Sequence, residues 1–100
     1  MIKHIVIWKF HESANGKTKA ENIAEAVKRL LAMEGRIPGL LKIECGENIT
    51  FNEAYWDLAL YTEFDTENSL RIYETHPVHE EVKKCLALVR DKRVALDYMV

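Results

Sequence analysis

The segment His76-Pro77-Val78-His79, three residues after Tyr73, places two imidazoles and a phenol close together along the chain. Proline suits the first position of a helix, where its missing N–H has no intrahelical partner to lose. His79 then falls in the first helical turn, and the positive end of the helix dipole disfavours imidazolium there. A ring that is neutral at pH 7 accepts a proton, which is what a general base must do. The Tyr73 hydroxyl offers the complementary function, because it can polarise a carbonyl or hold an enolate oxygen. Together these residues suit removal of a proton alpha to a carbonyl, with no cofactor.

Besides His79, the histidines at positions 76 and 4 bear on this cluster. His76 precedes a proline, so it mainly shapes the chain and caps or packs at the break. His4 shares a strand face with Val6 and Trp8. If that face meets the helices, His4 points toward Tyr73 and His79. His76 and His79 also have a spacing that metals accept, but only Glu80 stands nearby as a third ligand, and first-row metals want three or more. No metal is expected. Cys45 and Cys85 have no zinc-type spacing and read as reduced thiols in a cytoplasmic protein. No nucleophile elbow, phosphate loop or dinucleotide fingerprint occurs.

The elements that must position these residues follow from hydrophobic period. Residues Met1–Phe10 alternate as a strand, with Ile2, His4, Val6, Trp8 and Phe10 on one face. Asn15-Gly16 signals a turn. A helix is predicted over Lys17–Glu34, with Ile23, Val27, Leu30 and Leu31 as its apolar stripe and Gly35 at its end. Strands are predicted over Leu41–Asn48, with Leu41, Ile43 and Cys45 on one face, and over Tyr55–Glu63. Asp65 or Thr66 caps a short helix that carries Leu70 and Tyr73. It breaks at His76-Pro77, a second helical stretch runs from Pro77 to about Arg90, and a last strand spans Val94–Val100. The order β-α-β-β-α-β predicts one ferredoxin-like α+β domain over residues 1–100, with helices on one face of a four-stranded antiparallel sheet.

With only one face covered, the other should be polar in a monomer. It is not: whichever set of the first strand faces the helices, Ile5 and Ile7 or Val6 and Trp8 remain on the far side. An apolar sheet of that area is unusual on a soluble monomer. The expected solution is a homodimer packed sheet to sheet through the open face. A formal net charge of -2 argues against nucleic acid as partner, and no apolar run approaches membrane-span length.

Ile2-Lys3-His4-Ile5-Val6, Ile37-Pro38-Gly39-Leu40, Tyr73 with His76-Pro77-Val78-His79, and Leu96-Asp97-Tyr98 occur in this order in a chain of this length. In this the chain resembles the stress-responsive A/B barrel (Dabb) family of dimeric α/β-barrel proteins over nearly all its residues. The resemblance implies a homodimer, and for many members a biochemical role that is unassigned. One plant branch contains polyketide cyclases that close a ring by an intramolecular aldol reaction. The resemblance to that branch implies His79 as base, Tyr73 as its assistant and His4 as a further pocket histidine. That branch lines its pocket with aromatic residues from the first helix, where this chain has Ala26, Val27, Leu30 and Leu31. The cyclase substrate therefore does not carry over.

The expectation is a small, largely apolar ligand pocket between helices and sheet, walled by Val6, Trp8, Val27, Leu30, Leu60 and His76, with His79, Tyr73 and His4 as its polar groups. The alternative is a cofactor-free, cyclase-like enzyme on the same residues. A monooxygenase-like dimeric barrel is a further alternative that rests on fold analogy alone.

Overall fold

A computed structural model describes residues 1–100. In chain order the elements are β1 (Ile2–Phe10), β2 (Ser13–Ala14), β3 (Lys17–Thr18), α1 (Lys19–Leu31), β4 (Leu40–Glu47), β5 (Leu58–Phe64), α2 (Glu67–Thr75), α3 (Pro77–Ala87) and β6 (Arg90–Met99). The main sheet has the order β4-β5-β1-β6, and every neighbouring pair is antiparallel. This is the ferredoxin-like arrangement. No helix is long and apolar enough to cross a membrane.

Strand β1 lies between β5 and β6, and its period of two sets the two layers. Ile2, His4, Val6, Trp8 and Phe10 are buried against the helices. Leu58, Leu60, Thr62 and Phe64 of β5 point the same way. Helices contribute Ile23, Ala26, Leu30, Leu70, Tyr73, Val82 and Leu86 to the same core. The opposite face carries Ile5 and Ile7, with Leu96, Val94, Tyr61 and Ala59 as their register partners. Ile7, Val94 and Leu96 are exposed.

Several element boundaries differ from those that periodicity predicts. The first helix starts at Lys19, because Lys17 and Thr18 pair with Ser13 and Ala14 in a small hairpin. Asn15 and Gly16 both have positive φ (53° and 78°), as a two-residue hairpin turn demands. Thr18 then caps α1 reciprocally with Glu21. The helix ends at Leu31 in tightened turns, with Met33 N–H bonded to the Leu30 carbonyl. A register shift between Leu40 and Lys42 turns Leu41 outward, away from the face it was expected to share with Ile43. Strand β5 begins at Leu58 rather than Tyr55, whose N–H closes a turn on Asn52. Just before β5, the Asp57 carboxylate accepts the Phe10 N–H at 2.7 Å and faces Lys19 at 3.5 Å. Strand β6 begins at Arg90, not Val94.

The Pro38-Gly39 turn is under the tightest backbone constraint. Gly39 has φ +82°, and an added Cβ would lie 2.3 Å from the Ser69 Oγ at the start of α2. Gly39→Ala is therefore expected to cost about 1–3 kcal/mol from the left-handed backbone alone, read by urea denaturation. Adding Ser69→Gly should relieve the collision and leave the backbone part in place.

Candidate functional site

The site is built around the end of α2. Thr66 caps this helix by accepting from Ser69 N–H, and the helix carries Tyr73 into the core with none of its surface exposed. In a continuing helix the Tyr73 carbonyl would accept the N–H of residue 77, and Pro77 has none. His76 leaves the helical region (φ -64°, ψ 135°), and its N–H reaches the Tyr73 carbonyl at 3.2 Å. Its ring Nδ1 accepts the Val78 N–H at 3.1 Å and so caps α3.

His79 fills the remaining valence of that carbonyl. Its Nδ1 is 2.9 Å from the Tyr73 oxygen. A carbonyl only accepts, so Nδ1 carries the hydrogen and the Nε2 lone pair is left free in the neutral ring. The imidazole stacks on the Tyr73 ring at 3.9 Å between centroids and 17° between planes. Burial pushes the His79 pKa down to about 4, against a smaller opposing effect of the bond to Tyr73. The ring is neutral at pH 7. Burial also drives the Tyr73 phenol well above its ordinary range, so it remains a hydrogen donor. Its hydroxyl is buried and has no hydrogen-bond partner.

His4 completes the cluster from the sheet. It lies edge-on to Tyr73, with centroids 5.8 Å apart. Its Nδ1 is held by the carboxylate of Asp97, its register partner on β6.

These groups line a cavity of about 390 Å³. Val6, Trp8 and Leu60 form its sheet side, and Leu30, Leu86 and Ala87 its helix side. Lys83, Arg90 and Arg93 stand at its edge toward β6, a strand that is exposed along nearly its whole length. His4, Tyr73 and His79 are thus brought together with Val6, Trp8, Leu30 and Leu60. Val27 and His76 are not among the lining residues. Val27 packs on the core elsewhere, and the His76 ring is committed to its cap. No group of three His, Cys, Asp or Glu side chains gathers to hold a metal. Burial pushes the Cys45 thiol up to about 11, which leaves it unreactive as a nucleophile.

The family model of the stress responsive A/B barrel domain matches residues 2–100. The chain belongs to this family. An uncharacterised protein of Streptomyces coelicolor is 30% identical over 80 residues, 80% of each chain. A dimeric protein of unknown function from Bacteroides fragilis, with a ferredoxin-like fold, superposes with a TM-score of 0.83 at 31% identity. It covers 99% of this chain and 95% of its own. The hydroxynitrile lyase of Passiflora edulis shares the fold at 14% identity, with a TM-score of 0.81 over 99% of this chain and 92% of its own.

Within this A/B barrel domain, the basic side chains at the cavity edge escaped sequence reasoning. Lys83 follows His79 by one helical turn and precedes Ala87 by another, a spacing that places all three on one stripe of α3. That signal was in the sequence. Arg90 and Arg93 were hidden by the expectation that the last strand starts at Val94.

Two outcomes follow for the barrel's His79. Its folded pKa lies below the ordinary 6.5, so below that value the unfolded chain binds a proton that the folded chain refuses. The stability it contributes is complete above pH ~6.5 and falls as pH drops toward ~4. Urea midpoints across this range should show that loss, and His79→Gln should remove this component. In ¹⁵N NMR at pH 7 the ring should be the Nδ1–H tautomer. Pro77→Ala supplies a competing N–H for the Tyr73 carbonyl and should give mixed tautomers. An unchanged signature in that variant would mean that another contact sets the tautomer.

Proposed function

We propose that this A/B barrel protein is a homodimer in which each subunit binds a small, largely apolar ligand carrying a carbonyl-type oxygen. One observation carries the reading: Tyr73 lines a cavity with apolar walls and a basic edge, and its buried hydroxyl bonds to no other group of the chain. Leaving such a donor unsatisfied costs about 1–3 kcal/mol. In this reading a ligand oxygen held in the adjoining cavity becomes its partner. Val6, Trp8, Leu30 and Leu60 supply the apolar surround.

The fixed tautomer of His79 favours a second reading on the same residues, cofactor-free proton transfer. In it, Nε2 takes the proton alpha to the ligand carbonyl, the C–H electron pair forms the new C=C bond as the carbonyl π pair moves onto the oxygen, and Tyr73 donates to the resulting enolate. The enolate carbon is then free to attack a second carbonyl, as in an aldol closure. A ring whose pKa sits at about 4 is a weak base until negative charge develops beside it. Binding is therefore the first reading and proton transfer the second.

The dimer reading rests on the band of Ile5, Ile7, Ala59, Val94 and Leu96 on the uncovered sheet face, and on the dimeric relative from Bacteroides fragilis. Packing two such faces would hide what a monomer leaves in water. Sedimentation at micromolar concentration should give a dimer, and Ile7→Glu a folded monomer. A monomeric native chain would overturn this assembly.

For the ligand, mass spectrometry of small molecules released from purified protein should find an oxygenated apolar compound. Tyr73→Phe should raise the dissociation constant of that compound about tenfold, the effect of one buried hydrogen bond. An unchanged dissociation constant in the variant would remove Tyr73 from the site. Proton transfer predicts His79-dependent deuterium uptake alpha to the carbonyl of the bound compound in D₂O. Uptake that persists in His79→Ala would defeat the second reading.

A further inference from the structure

We infer that the cavity is built for an anionic ligand, an apolar carboxylate whose head group lies between Arg90 and Arg93 and whose body fills the interior. This rests on the reading of the cavity as a ligand site and names the ligand's charge.

The first observation is charge. The residues lining the cavity include Lys83, Arg90 and Arg93 and no acidic side chain, while the adjoining hollow that shares Tyr73, His79, Lys83 and Arg93 adds Glu74 and Asp97. The chain as a whole carries a formal net charge of -2, so this positive region is local. Lys83 already has partners, since it pairs with Glu80 and donates to the Glu74 carbonyl at 2.8 Å. Arg90 and Arg93 take part in none of the chain's ion pairs. Asp97, on the same face of β6, is engaged by His4. Two guanidinium groups on one cavity edge, Arg90 half-buried and Arg93 exposed, together favour an anion beside them.

The second observation is backbone register, and it is independent of the first. Trp8 pairs with Arg93 and Lys9 with Lys92, but Phe10 pairs with Arg90. Asp91 is the extra residue of a bulge. In an unbroken strand, Arg90 and Arg93 would point to opposite faces. The bulge puts both on the helix-covered face, where Trp8 and Phe10 also point. Bulges recur beside binding sites because they re-aim a side chain in this way.

The third observation is the Tyr73 hydroxyl, an unpartnered donor on the same cavity. Arg93 is close enough to bear on its ionisation, favouring the phenolate against the stronger effect of burial. A carboxylate has two oxygens and several lone pairs. It accepts a forked pair of bonds from a guanidinium and also reaches neighbouring donors. The apolar body then replaces water against Val6, Trp8, Leu60 and Leu86.

The test compares 4-butylbenzoate with the neutral 4-butylbenzamide, titrated into the native protein and followed through the NMR signals of Tyr73 and His79. The carboxylate should bind at least about tenfold more tightly than the amide. The double variant Arg90→Gln/Arg93→Gln should weaken the carboxylate far more than the amide and so abolish the preference between them. Equal affinity of the two probes in the native protein overturns the anion inference while the ligand-site reading stands. If neither probe moves the Tyr73 and His79 signals at millimolar concentration, both fall. A double variant that keeps its amide spectrum and still prefers the carboxylate also overturns the inference. So does carboxylate binding that shifts only residues away from the cavity.

Discussion

The site depends on one absent hydrogen. Pro77 has no N–H, so the carbonyl of Tyr73 is denied its helical partner. A buried carbonyl must find another. His76 gives it a backbone N–H and His79 gives it an imidazole N–H. The second bond fixes the tautomer of His79, lays its ring on the Tyr73 ring and leaves Nε2 as the free nitrogen. The same proline forces His76 into an extended conformation, and this turns its ring back to cap α3. A structural residue and a candidate catalytic one thus lie three positions apart, and a single backbone defect assigns both roles.

The sheet supplies the other half. Because β1 has neighbours on both sides, every second side chain is carried into the core, His4 among them. Asp97 stands opposite it on β6 and holds its Nδ1. The helices stop short of β6, whose residues are nearly all exposed. This leaves the cavity open along one side. Strand β6 therefore does two things: it forms one edge of the sheet and it carries Arg90 and Arg93 at the rim. The face turned away from the helices is apolar for a separate reason, since Ile5, Ile7, Val94 and Leu96 form cross-strand neighbours there.

Much of this was legible in the sequence because it follows from local rules. The alternation in β1 assigned His4, Val6 and Trp8 to one face, and the dipeptide His76-Pro77 located the helix break. The family match over residues 2–100 agrees with the resemblance read from the motifs. What escaped was set by pairing between distant segments. The shift at Leu40/Lys42, which exposes Leu41, and the bulge at Asp91, which turns Arg90 inward, exist only relative to a partner strand. No periodicity within one strand reveals them. The side chain of Asp57 closes the end of β1 through the Phe10 N–H, a contact across 47 positions. The hairpin at Asn15-Gly16 was signalled by its turn, yet its two-residue strands are too short to show alternation.

Within an otherwise satisfied molecule, three unfavourable features meet at one place. Tyr73 carries the one buried side-chain polar atom without a hydrogen bond. His79 is desolvated far enough to refuse its proton at neutral pH. Arg90 and Arg93 share a cavity edge and take part in none of the chain's ion pairs. A domain of this size has about 5–15 kcal/mol of net stability, and the orphaned hydroxyl alone costs about 1–3 of it. A chain selected only for stability would fill the cavity and bond the hydroxyl. Scattered over the fold, such costs would be accidents of packing. Converging on one cavity, they are the features that the proposed ligand, with an apolar body, an oxygen for Tyr73 and a negative charge for the arginines, would answer together. Local rules are broken together where a missing component would satisfy them together.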